Sequence, residues 1–269
     1  MTNWKNMNQK KISFQQKLTF GTFGCLIFLV IWVLLGHLLL KYPDYSQFYG
    51  FHPLATIKAF YHLLYSDHFW HGVSASLRRV LIGLSVAFIL GVPVGILIGY
   101  YDRIWMMTNV PIQFLRMISP LSWMPIAILI LPSFEKAIYF LITMACIWPI
   151  ILSTAQGVNR INPQILAMAR NQGAKDTQLV FKVVLPTAVP SIIVGLRMAL
   201  GISWIILVPA EFLGISSGLG YSINDARDTL EYDRLLALVI AIGFIGLFLD
   251  SSVRFLEKHS DLRYILRIG

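Results

Sequence analysis

Long apolar runs alternate with shorter polar stretches along this chain. Six of them, near residues 18–40, 77–100, 106–131, 136–157, 187–213 and 235–256, approach or exceed 20 residues. An α-helix rises 1.5 Å per residue, so about 20 residues cross a 30 Å hydrocarbon core. Pro93, Pro111, Pro120, Pro125 and Pro149 lie inside or beside the runs. Membrane helices tolerate such prolines because neighbouring groups satisfy the freed carbonyls. The pattern predicts an all-α integral membrane fold with six transmembrane helices.

The stretches between the runs carry patterns of their own. Residues 53–67 place apolar side chains at helical spacing and suit the outer interface. Residues 215–233 are Gly-rich and then acidic, and read as an external segment. Residues 159–186 form the longest internal loop and are too polar to span. They read as two short helices, 161–171 and 176–184, broken near Gly173. No internal repeat of 20–50 residues appears. The expected division is a cytoplasmic segment 1–17, one six-span domain 18–257 that includes loop 159–186, and a cytoplasmic tail 258–269.

Composition moves the reading further toward lipid. Of the residues 57% are hydrophobic and 13% charged, and the mean hydropathy is +0.68. A soluble domain has about a quarter of its residues charged. The net charge of +9 does not indicate a nucleic-acid binder, because the basic residues sit in short segments between runs rather than on one polar face. Their distribution follows the positive-inside rule with both termini cytoplasmic. Lys5, Lys10, Lys11, Lys17, Arg160, Arg170, Lys175 and Lys182 fall inside, while Asp44, Asp67, Glu135, Asp225, Asp228, Glu231 and Asp233 fall outside. Run 18–40 is longer than a signal-peptide core and lacks a small-x-small site after it, so it reads as a retained span. Cys25 and Cys146 both lie in apolar runs and read as reduced packing residues.

From Ala167 the chain reads AMARNQGAKDTQLVFKVVLP. Gly173 is followed by nine residues and then by Val183, Val184, Leu185 and Pro186. This resembles the cytoplasmic signature of permeases of binding-protein-dependent ABC importers: Glu-Ala-Ala, three residues, Gly, nine residues, Ile-x-Leu-Pro. Ala169 matches the last Ala, whereas Ala167 stands where the family has Glu and Met168 where it has Ala. Residues 76–100, 116–130, 183–204 and 210–223 extend the resemblance over most of the chain, to the nitrate/sulfonate/taurine/bicarbonate branch. The resemblance implies a type I importer permease fold like that of the methionine importer, with a coupling helix between Ala167 and Pro186. It further implies a second copy of the chain, a separate ABC ATPase that binds ATP and Mg, a periplasmic substrate-binding protein, and a place in the bacterial inner membrane. Physically, Gly173 permits a sharp turn between the two short helices, and Pro186 suits the first turn of the next. Ala167, Ala169, Gly173, Val183, Leu185 and Pro186 are the candidate ATPase-coupling residues.

Two arginines fall deep inside runs. Arg116 and Arg197 each lie about 16 Å along a span at 1.5 Å per residue. A midplane arginine costs about 2.5–3.5 kcal/mol on insertion scales, so it should face protein or water. One reading makes the pair part of an anion path. The other has each arginine cap carbonyls freed by proline or pair with Glu211. The candidates for the translocation path are Arg116, Ser119, Trp123, Arg197, Trp204 and Glu211. Glu211, Asp225, Asp228, Glu231 and Asp233 could alternatively meet a binding protein or simply form a solvated face. Trp123, Trp148 and Trp204 with Met117, Met124 and Met198 suit either a gate or span packing. His68 and His71 have spacing for a metal but no third ligand nearby.

Other classes fit less well. A secondary transporter usually carries inverted repeats and buried acids at broken helices, and this chain shows neither a repeat nor an acidic mid-span residue. A membrane enzyme would need paired carboxylates, a His cluster or a Ser-His-Asp set at membrane depth. No Gly is followed by Lys, so a phosphate-binding loop is missing. The chain reads as a transport subunit without a metal or cofactor, and ATP hydrolysis falls to a partner.

Overall fold

The computed structural model describes residues 14–40 and 48–259. Residues 1–13, 41–47 and 260–269 lie outside the described residues, and with them Lys5, Lys10, Lys11, Asp44 and most of both expected tails. The side chains of Lys17 and Cys25 lie outside as well.

The described residues are helical, with no strand among them. The order is α1 Phe14–Leu40, α2 Pro53–Leu64, α3 Asp67–Tyr100, α4 Asp102–Met117, α5 Met124–Ile130 and α6 Phe134–Asn159. Then come α7 Pro163–Asn171, α8 Asp176–Leu179, α9 Leu185–Phe212, α10 Leu219–Asp228 and α11 Tyr232–His259. Five helices are long and apolar enough to cross a membrane: α1, α3, α6, α11, and α9 with its lead-in from Asp176.

The expected straight span over 106–131 is instead broken. α4 and α5 meet at 86°, with a 3-10 turn, Pro120–Trp123, between them. Pro120 explains the break: its ring pushes the preceding residue out of the helical region, and Ser119 adopts φ −57°, ψ 127°. Together α4 and α5 supply a sixth, bent span.

Two further departures have local causes. α3 starts at Asp67 rather than near 77, and at 34 residues it is about 51 Å long. Its first turn gains from the Asp67 carboxylate near the positive end of the helix dipole. The segment 215–233 is not irregular but holds α10, which buries Leu219, Ser222 and Ala226 on one face.

α3, α6 and α9 make the centre of the bundle. α6 is the innermost, with Ile138, Leu141, Ile142 and Ile150 fully buried. Lipid tails are as apolar as these side chains, so close packing rather than water exclusion holds such helices together. The contact is correspondingly tight. A Cβ at Gly95 would stand 2.6 Å from the Thr154 Cβ, and one at Gly99 2.6 Å from the Ala155 carbonyl oxygen. α2 packs on α11. α1 meets the rest through α2 and through Trp32, whose Nε1 donates to the Phe51 carbonyl at 3.0 Å.

Candidate functional site

Residues 159–186 fold into a knob at one end of the bundle. Asn162 caps α7, its side chain accepting from the Gln164 N–H at 2.9 Å, and Pro163 fills the first helical position, where no N–H is needed. α7 ends at Gly173, which has φ +84°. The Gly173 N–H donates to the Arg170 carbonyl and the Ala174 N–H to the Ala169 carbonyl, at 2.9 and 3.1 Å. These two bonds close a helix through a left-handed residue. A Cβ at Gly173 would meet nothing within 4 Å. The demand for glycine is therefore one of backbone conformation, about 1–2 kcal/mol for an ordinary residue.

The second half of the knob differs from the expected separate helix. α8 runs through a π-helical turn, Val180–Val184, directly into α9. The Leu185 N–H reaches back to the Val180 carbonyl, a five-residue step that lets the helix continue into Pro186, which has no N–H to give. α8 and the span are thus one continuous helix, and α7 joins them through the turn at Gly173 to complete the knob. Its inner side is tied down by buried Ile161, Leu179 and Val184, and by the Arg170 guanidinium, which donates to the Tyr100 hydroxyl at 2.9 Å. Its outer side leaves Ile165 44% and Met168 63% exposed. Ala167, Ala169, Gly173, Val183, Leu185 and Pro186 all fall within this knob. Ala167, Gly173 and Pro186 are exposed, and the other three are half-buried.

The translocation-path candidates do not converge. Glu211 is fully buried, and so is its partner Arg79, at 0% and 2% exposure. Arg79 donates to Glu211 Oε1 at 2.7 Å and to the Ser217 carbonyl and hydroxyl at 3.0 and 2.8 Å. The Ser76 hydroxyl and the Gly220 N–H also donate to the Glu211 carboxylate, at 2.8 and 2.7 Å. Gly218, at φ +111°, passes so close that a Cβ would strike that carboxylate. Glu211 therefore fastens the start of α10 to α3. It is not at the surface to meet a binding protein, and it pairs with neither Arg116 nor Arg197.

Arg197 is paired instead with Asp250 on α11, Nε to Oδ1 at 3.1 Å, and Arg254 holds the other oxygen of Asp250 at 2.8 Å. Trp204 turns the same way, its Nε1 donating to the Ile242 carbonyl at 3.2 Å. Asp250 corrects the expectation that no acid lies within a span away from its ends: it sits inside the last run, 235–256. The surface acids are also engaged, Asp225 and Glu231 by Arg234 and Asp228 by Arg227.

Arg116 stands apart. It occupies the last turn of α4, beside the break, and lines a cavity of about 430 Å³ with Pro120, Trp148, Ser153, Gln156 and Met198 among others. No ion pair or hydrogen bond joins Arg116 to another of the described residues. Ser119 is exposed at the break and Trp123 half-buried against the core, and neither lines the cavity.

The family model described as binding-protein-dependent transport system inner membrane component matches residues 91–262. The chain belongs to this family. It is 40% identical over 201 residues to a bicarbonate transport system permease protein of Synechococcus elongatus, covering 74% of this chain and 70% of that one. It is 33% identical over 215 residues to a nitrate import permease protein of Synechocystis, covering 77% and 78%. Solved inward-facing structures of the MetNI methionine ABC transporter include a chain with the same fold: TM-score 0.53, 21% identity, 68% of this chain and 94% of that one. The nitrate/bicarbonate branch and the methionine-importer-like fold expected from the sequence are both borne out. The chain is a multi-pass ABC importer permease subunit.

Sequence reasoning missed several residues of this permease: Arg79 and Asp250 as charge partners, and Ser153 and Gln156 in the cavity. Asp250 carried a usable signal, since an acid inside an apolar run needs a partner and Arg197 was already in question. Arg79 was legible only as an external charge, because the end of run 187–213 and the start of run 77–100 had no known neighbourhood.

Proposed function

We propose that this permease works as a homodimer in a bacterial inner membrane, with both termini cytoplasmic, and passes a small anion. A periplasmic binding protein delivers the anion, and a separate ABC ATPase, which holds the ATP and Mg, drives transport by docking on the knob. The observation that supports this reading is the knob itself: two exposed apolar side chains, Ile165 and Met168, sit on α7, which turns at Gly173 into a helix continuous with span α9. Force applied to α7 reaches the membrane helix through the single short turn at Gly173. The bicarbonate and nitrate permeases among its relatives support an anionic cargo.

Gly173→Asp tests the docking. The substitution strains the left-handed turn and adds a charge beside the docking face, while the spans lie elsewhere. The variant should insert at the wild-type level yet retain at most about a tenth of the ATPase on affinity-purified permease, a loss of roughly 1.4 kcal/mol of attachment. ATPase retention and binding-protein-dependent uptake both equal to wild type would contradict the docking role.

A further inference from the structure

The cavity beside the broken span has a chemistry that the docking knob does not explain. Its walls are mostly apolar, from Trp148, Met198 and Ile202. Three polar side chains face it: Arg116 from α4, and Ser153 and Gln156 from adjacent turns of α6. None of the three forms a hydrogen bond or ion pair with the described residues. Of the other arginines in the spans, Arg78, Arg79, Arg197, Arg234 and Arg254 are each held by a carboxylate, from Glu135, Glu211, Asp250, Glu231 and Asp250 in turn, and Arg103 lies in the exposed first turn of α4. An arginine within a span should face protein or a water-filled path, and Arg116, with no carboxylate among the described residues, stands at the wall of this cavity, where it can meet an anion. The apolar walls lower the local dielectric and strengthen that single charge.

We infer that Arg116, Ser153 and Gln156 form the contact site at which this permease selects a small oxyanion, one negative charge for each copy of the site. The guanidinium supplies the charge and a planar fork of donors, which suits paired oxygens. Ser153 and Gln156 supply further donors three residues apart on α6, Ser153 at the wall and Gln156 at the open side, being buried and exposed respectively. The cavity is wide against the roughly 30 Å³ that one water occupies in the liquid, so the anion passes with part of its hydration and leaves readily. The site rests on the proposed anion import and names the residues that would perform it.

The test uses the whole transporter, permease with its ATPase and binding protein, in proteoliposomes, with labelled bicarbonate and labelled nitrate as probes. Arg116→Gln should lower ATP-driven uptake of the transported probe about tenfold or more, and Gln156→Leu severalfold. Arg116→Lys, which keeps the charge and loses the fork, should fall between Arg116→Gln and wild type. If Arg116→Gln does not insert, the ranking of Arg116→Lys and Gln156→Leu against wild type decides alone. Uptake at the wild-type level in these variants overturns the site. Wild-type transporter that hydrolyses ATP but takes up neither probe also overturns it and leaves ATPase docking standing. A permease that retains no ATPase at all overturns both readings, and the retention assay separates that outcome from the others.

Discussion

The two ends of α9 handle the same difficulty in opposite ways. At its C-terminal end the chain buries an ion pair and surrounds it: Arg79, Glu211, Ser76 and Ser217 bond to one another and take in two backbone N–H groups of α10, with the Arg79 Nε left unpartnered. At its N-terminal end the chain builds the knob and leaves Ile165 and Met168 uncovered. The first end is closed within the chain, all but that one nitrogen. The second has its inner face fixed and its outer face open, the arrangement of a surface made to be covered by something else. The contrast separates residues that hold the permease together from residues left exposed on the face proposed for docking.

Substitutions at the closed end should cost stability most. Glu211→Ala leaves the buried Arg79 with only the more distant Glu135 carboxylate, at 3.9 Å, and breaking a buried pair from one side costs about 3–5 kcal/mol. The amount of monodisperse permease extracted from membranes, and its unfolding temperature in detergent, should both drop sharply. Replacing both partners at once, Arg79→Met with Glu211→Leu, should recover much of the loss, because it is the lone charge that is costly. A double variant as poor as the single would mean that the contacts to α10, not the charge, hold this end.

Arg197→Gln should do far less. Its pair with Asp250 is about a third exposed on both sides, and Arg254 remains to hold the acid. Such pairs are worth about 0–1 kcal/mol. Unfolding temperature and uptake should both stay near wild type. A large uptake defect in a stable Arg197→Gln variant would return Arg197 to the translocation path and weaken the distinction between it and Arg116.

How much of this was legible in the sequence follows from which interactions are local. The runs that became α1, α3, α6, α9 and α11 were readable because a membrane helix satisfies its own backbone and must be apolar along its length. The knob was readable because Gly173 and the Leu185–Pro186 step act on the backbone within a few residues. The break at Pro120 was half-legible: proline marked the place, but the 86° bend depends on what packs around it. α10 was hidden because its Gly-rich approach and acidic surface read as a loop, although Leu219, Ile223 and Ala226 already stood at helical spacing. The fate of each arginine was not legible at all. Arg116 and Arg197 have similar depth and similar flanks, and only the position of Asp250 on α11 tells the paired one from the free one.

The central claim is that a partner ATPase sits on the outer face of α7. Site-specific cross-linking tests it directly. With Cys25 and Cys146 replaced by serine, Met168→Cys carries a short photoreactive maleimide in the assembled transporter. Leu54→Cys on α2, an equally exposed position at the other end of the bundle, serves as the control. Illumination should give a permease–ATPase adduct from Met168→Cys and none from Leu54→Cys. An ATPase that co-purifies but cross-links from Leu54→Cys, or from neither position, would contradict the account.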